Sequence, residues 1–251
     1  MCGFAIAVSS CGSKVQGLQH DPSFTYHKME LERTAIGGVA YPFPASQGGY
    51  MSREEATNLL TLQITRYRED LNVHPVGEPI HLLGEQAYTD MMYAYERGGL
   101  ITPDDLEMMR NILYPDLRYL VFARIEQDLI HRGRREKVEG KDEDQRDVLE
   151  LTTTRSVTVA FNVYDILESR SVWRGHLSKN AKNKNRYVYD RNNPDEEQDL
   201  LEIIVGVIFE GSMRQPTHPE APNMTTALTN IFRRFAENLP KPGELSVTAK
   251  R

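Results

Sequence analysis

The stretch from Arg155 to Ile166 constrains the fold more than any other, because its side chains alternate with the period of a strand. Val157, Val159, Phe161 and Val163 fall on one face, with Thr158, Ala160, Asn162 and Tyr164 on the other. Asp165 to Ser171 then turns the chain and Val172 to Leu177 returns, so the two segments predict a β-hairpin. Upstream, Leu117 to Ile130 is apolar on both faces around Tyr119-Leu120-Val121-Phe122-Ala123, which suits a central strand. Thr34 to Tyr41 reads as a short buried strand closed by Pro42 and Pro44. Val73 to Pro79, interrupted by Pro75, and Ile203 to Phe209 are further strand candidates.

Helices fill the intervals. Ser52-Arg53-Glu54-Glu55 is a capping box, in which the Ser hydroxyl meets the third helical amide and the Glu reaches back. Behind it, Ala56, Leu59, Leu60, Ile64, Tyr67 and Leu71 share one helical face. A second helix spans about Gly84 to Arg97 and is stopped by Gly98-Gly99. A third is started by Thr102-Pro103-Asp104-Asp105 and turns Leu106, Met109, Ile112 and Leu113 inward. Asn223 to Leu239 is the last, with Ala227, Leu228, Ile231, Phe232 and Phe235 inward. This order predicts an α/β (α+β) domain over residues 30–242: a mixed sheet of about four to six strands flanked by helices, with a C-terminal helix. Residues 12–29 read as a polar tether and 243–251 as a disordered tail. The very polar stretches 131–154 and 178–199 read as solvated loops.

Charge and cysteine usage narrow the function. The formal net charge is -6, which argues against nucleic acid as the main partner, since phosphate binding calls for a basic surface. No apolar run approaches the ~18 residues of a membrane-spanning helix. Both cysteines, Cys2 and Cys11, lie at the N-terminus, so neither a disulfide framework nor a thiolate metal site is expected in the folded body.

The N-terminus itself carries a specific signal. Phe4 to Val8 is apolar, and Val8-Ser9-Ser10-Cys11 resembles a bacterial lipobox. The resemblance implies a signal peptide over residues 1–11, cleavage before Cys11 and palmitate-type acylation there. The acyl chains would hold the protein on a bilayer, with Gly12 favouring the outer membrane. No Lys or Arg precedes the apolar stretch, a gap that a start codon assigned too far downstream would explain.

Little else speaks of chemistry. The seven histidines show no helical i, i+4 pair and no HExxH. His74 and His81 lie seven apart in a Pro-rich segment, where packing is a better account than a metal. Nucleophile-elbow, Walker and dinucleotide fingerprints are absent, and Gly37-Gly38 leads into residues that cannot open a helix. Neither an enzyme nor a cofactor nor a metal is expected. Arg124 and Glu126, two residues apart on an apolar strand, are candidate partner-binding residues, although an ion pair is their plainer role. The basic cluster Arg132, Arg134 and Arg135 and the run Lys179 to Arg186 could meet anionic headgroups or simply be solvated.

The segments Tyr119 to Glu126, Val159 to Asp165 and Val172-Trp173-Arg174-Gly175 together resemble the periplasmic lipoproteins related to the curli channel CsgG and the penicillin-binding-protein activator LpoB. That resemblance implies a non-catalytic binding or scaffold protein under the outer membrane, with an envelope protein as partner and homo-oligomerisation left open. It also adds Trp173 to the candidate partner-binding residues. The polar insertions speak against a pore, because a barrel hairpin alternates lipid-facing and lumen-facing residues. Two alternatives stand beside it: a cytoplasmic binding protein without lipid, and a hydrolase assembled from His81, Arg124 and Asp165.

Overall fold

A computed structural model describes residues 15–41, 51–141, 145–190 and 216–243. Its strands are β1 (Gln16–His20), β2 (Thr34–Ala40), β3 (Val73–His74), β4 (Tyr119–Glu139), β5 (Arg146–Asp165) and β6 (Arg170–Asp190). Its helices are α1 (Tyr26–Leu31), α2 (Arg53–Tyr67), α3 (Gly77–Leu83), α4 (Glu85–Gly98), α5 (Pro103–Leu113) and α6 (Met224–Asn238). The strands form one mixed sheet in the order β1-β6-β5-β4-β2-β3. β4, β5, β6 and β1 are antiparallel neighbours, whereas β2 runs parallel to both β4 and β3. The fold is the expected α+β class.

Both faces of the sheet are covered at one end, which we call the base. On one face α2 and α6 pack over Val121, Val159, Phe161 and Val163. Phe161 stacks on Phe235 with ring centres 4.2 Å apart, and Trp173 meets Phe235 edge-on at 5.1 Å. Burying each such side chain contributes about 1.5–3 kcal/mol, so α6 is held by its aromatic stripe. On the other face α3, α4 and α5 cover Leu120, Phe122 and Tyr164, with Met91, Met92, Tyr95, Met109 and Leu113 filling the space. The paired methionines are thus core. Ile112, expected inward, is 43% exposed: it lies one position from Leu113, and the packed side of α5 is carried by Leu106, Met109 and Leu113.

Caps behave as the sequence predicts. Ser52 accepts from the Glu55 amide and Glu55 from the Ser52 amide, while Thr102 accepts from the Asp105 amide. The glycine pair in β2 has a packing role. A Cβ on Gly37 would lie 2.4 Å from the Phe122 ring, and Gly38 adopts φ +132°, where the register of β2 on β4 shifts. The Gly37 carbonyl accepts from the Tyr88 hydroxyl, and the Val39 amide donates to Thr57.

Three expectations are corrected. Residues 131–154 and 178–199, read as loops, are strand through Glu139, from Arg146 and up to Asp190, with Gly140, Lys141 and Gln145 outside the strands. Strands that are polar on both faces have no hydrophobic alternation, so the periodic signal of a strand was missing. Part of the expected tether, Gln16–His20, is an edge strand on β6, with His20 opposite Trp173. The Val73–Pro79 candidate divides into β3 and the short helix α3, because Pro79 sits in the first turn of α3, where its missing N–H costs nothing. The strand candidate Ile203 to Phe209 and residues 244–251 lie outside the described residues. No helix among the described residues is long and apolar enough to cross a membrane.

Candidate functional site

Beyond the base, β4, β5 and β6 continue as a ribbon that is three-stranded among the described residues. β2 accompanies β4 only to Arg124, and β1 accompanies β6 only to His176. From Gln127 to Glu139 and from Leu177 to Asp190, the outer edges of the ribbon therefore have no strand neighbour among the described residues. At about 3.4 Å per residue these edges run for roughly 40 Å.

The ribbon's two faces differ. One is lined by Arg155, Thr153 and Leu151 of β5 and is covered by residues 216–222. There the Thr153 hydroxyl donates to the Pro219 carbonyl at 2.6 Å, and Asn183 and Asn185 donate to the carbonyls of Glu220 and Thr217 at 2.9 and 3.1 Å. At the junction with the base, Arg155 and Asp128 form a fully buried pair of two bonds, 2.6 and 2.7 Å, and Arg155 also donates to the Pro222 carbonyl at 3.2 Å. A buried charge of this kind needs its partner. The pair ties ribbon, base and covering segment together.

The other face, which we call open, exposes most of the charged side chains of β4 and β6, while Val148 and Glu150 of β5 between them are buried. Register places Thr152, Thr154, Ser156 and Thr158 along its centre. Lys184 and Lys182 of β6 stand beside Thr152 and Thr154, whereas Arg135 and Arg186 stand beside Glu150, and Lys137 beside Val148, nearer the ribbon's far end. Near its far end Glu150 binds Lys184 and, at 2.9 Å, Lys137; Glu139 binds Arg186 and, at 2.6 Å, Lys137. The Lys184 and Lys137 ammonium groups hold the Glu150 carboxyl well below its ordinary value of 4.5, at about 2. Three cations thus share two carboxylates, while Arg135 and Lys182 are exposed and form no ion pair among the described residues.

The candidate residues separate on this framework. Arg132, Arg134 and Arg135 all lie on the ribbon, Arg134 bridged to Glu136 at 2.6 Å. Arg124 donates to the Glu96 carbonyl at 3.0 Å and lies 3.8 Å from Glu126, so the plainer role of an ion pair describes them. Trp173 is 2% exposed inside the base and has no surface to offer a partner. Its place in the hairpin reflects packing on α6. Cys11 lies outside the described residues. The three residues of the hydrolase alternative are not brought together: Asp165 binds the buried Arg118, Arg124 binds Glu96, and His81 is exposed on α3. His74 engages Arg33 and Glu78 rather than His81. Among the described residues no group of His, Cys, Asp or Glu is placed to hold a metal ion.

Sequence reading missed the charge lattice and the Asp128–Arg155 pair. A signal for the lattice existed: Lys182, Lys184 and Arg186 fall on every second residue, the period of a strand read in charge instead of hydrophobicity.

No family model matches the chain, and no curated protein matches its sequence. Among solved structures, the hypothetical protein CT253 from Chlamydia trachomatis is 14% identical, covering 59% of this chain and 72% of that one, with a TM-score of 0.36. The PelC dodecamer from Paraburkholderia phytofirmans is 10% identical over 91% of this chain and 99% of its own, with a TM-score of 0.37. The lipoprotein GNA1162 from Neisseria meningitidis is 10% identical over 70% and 96%, with a TM-score of 0.28. The similar structures thus include a bacterial lipoprotein. At these scores no family is assigned, and function is argued from this chain's own residues.

Proposed function

We propose that the chain is a non-catalytic binding or scaffold protein of the bacterial envelope, which presents its ribbon to a protein partner from a base that supplies the stability. The observation that carries this reading is the pair of long ribbon edges without a strand neighbour among the described residues. An open edge is a template for adding a strand, from another protein or from a second copy. Charged side chains along both edges, Arg132 and Lys137 on one and Lys182 and Lys184 on the other, oppose indiscriminate pairing and select a complementary partner.

The envelope location rests on Val8-Ser9-Ser10-Cys11, read as a lipobox that anchors the chain to the periplasmic face of the outer membrane. The resemblance to the CsgG/LpoB-like lipoproteins belongs to the same reading.

Two measurements test it. A photoreactive amino acid at Arg132 or Lys182 should give discrete adducts in cells, whereas one at Glu107, exposed on α5, should not. Adducts from Glu107 alone, or from no position, would sink the contact role. Wild-type chain should sediment with membranes and Cys11→Ala should not; a soluble wild type would sink the anchor.

A further inference from the structure

We infer that the open face of the ribbon is a docking surface for the anionic headgroups of a phospholipid bilayer. The chain as a whole is acidic, with a net charge of -6, yet this face carries Arg135, Lys137, Lys182, Lys184 and Arg186 against Glu139 and Glu150. The two basic runs, far apart in sequence, are brought to the same face by β5, which lies between them. Their rows stand about 10 Å apart across the sheet, with side chains repeating about every 7 Å along each strand. Such a planar array meets a planar field of phosphates better than a single-file polymer. The central row of hydroxyls, Thr152, Thr154, Ser156 and Thr158, offers hydrogen bonds to headgroup oxygens.

Two further features favour a bilayer over nucleic acid. This face of the ribbon carries no Phe, Tyr or Trp among the described residues, so it has no platform for stacking bases. Tyr187 belongs to the covered face, where its hydroxyl bonds Thr217. Leu129 and Val188, by contrast, share the open face and are 43% and 42% exposed. They stand at opposite ends of the cation array, positioned to enter the apolar margin of the interface. Headgroups would meet the face of the ribbon and an added strand its edges, with Lys137, Lys182 and Lys184 common to both, and the lipid contact does not depend on acylation.

The test uses the unacylated full chain in sedimentation with phosphatidylcholine vesicles, with and without phosphatidylglycerol. Binding to the mixed vesicles and not to the neutral ones is expected, weakening as salt screens the charges. At about 1 kcal/mol for each Lys or Arg near an anionic surface, Arg135→Gln/Lys182→Gln should lower partitioning about 30-fold. These two exposed side chains hold no ion pair among the described residues, so the double variant should fold, which its far-ultraviolet circular dichroism checks. Arg132→Gln/Arg134→Gln removes the same charge from the covered face and should move partitioning far less. Equal binding to neutral vesicles, or equal loss from both double variants, would overturn the inference. Binding to soluble polyphosphate without binding to mixed vesicles would overturn it in favour of a linear polyanion.

Discussion

The same three strands make two very different structures along their length. Within the base, β5 from Val157 to Asp165 is covered on both faces, by α2 and α6 on one side and by α3 to α5 on the other. Past Val157, one face of the same strand is covered, among the described residues, by residues 216–222, and the other carries the half-buried Thr152, Thr154 and Ser156 with Glu150 and Val148 buried beyond them. A continuous apolar core holds the base, whereas in the ribbon β5 buries Val148, Leu149 and Leu151, and ladder hydrogen bonds, one buried ion pair and a surface charge lattice add to them. Surface pairs contribute little to stability, about 0–1 kcal/mol each. On the proposed reading, what the ribbon presents serves contact more than folding, and the two tasks are divided along the strands.

Substitutions can sharpen that division. Phe161→Ala removes the ring stacked on Phe235 and should cost about 3–5 kcal/mol in denaturant unfolding. A loss below about 1 kcal/mol would mean the base is not the stability unit. At the junction, Arg155→Leu leaves the buried Asp128 without the guanidinium that neutralises it, the Tyr41 hydroxyl still donating to it, and should cost about 3 kcal/mol. Adding Asp128→Leu should recover part of that, and a double variant weaker than the single would argue against the pair. Gly37→Ala drives a methyl group into the Phe122 ring and should cost about 1–3 kcal/mol by the same assay.

Acid should act on the ribbon first. Glu150 is held at about 2 against an ordinary 4.5. A carboxyl depressed on folding contributes stability that is present above about pH 4.5 and is lost as pH falls towards 2. Amide exchange between Lys137 and Leu151 should therefore quicken across that window, and Glu150→Gln should abolish the dependence. The smallest effect belongs to Leu129→Ala on the open face, expected within about 0.5 kcal/mol.

How much of this was legible follows from what each region buries. The base was readable because burial imposes periodicity: Val157 to Val163 at period two, Leu228 to Phe235 at helical spacing, Ser52 and Thr102 as caps. The ribbon was read as two loops because Arg132 to Glu139 and Lys179 to Arg186 bury nothing regular, and hydrophobic patterning is silent where both faces are polar. Nor could sequence alone find Arg155 opposite Asp128, since that partnership depends on register set by the base. Trp173 taught the converse. The resemblance to envelope lipoproteins suggested a contact residue, and the packing of α6 shows it to be core.

Amide hydrogen exchange on the full chain, alone and with solubilised envelope membranes, tests the division of labour most directly. Protection should rise along Gln127–Glu139 and Leu177–Val188 when membranes are added, with α4 and α5 unchanged. Protection gained on α4 and α5 instead, or gained nowhere, would contradict it.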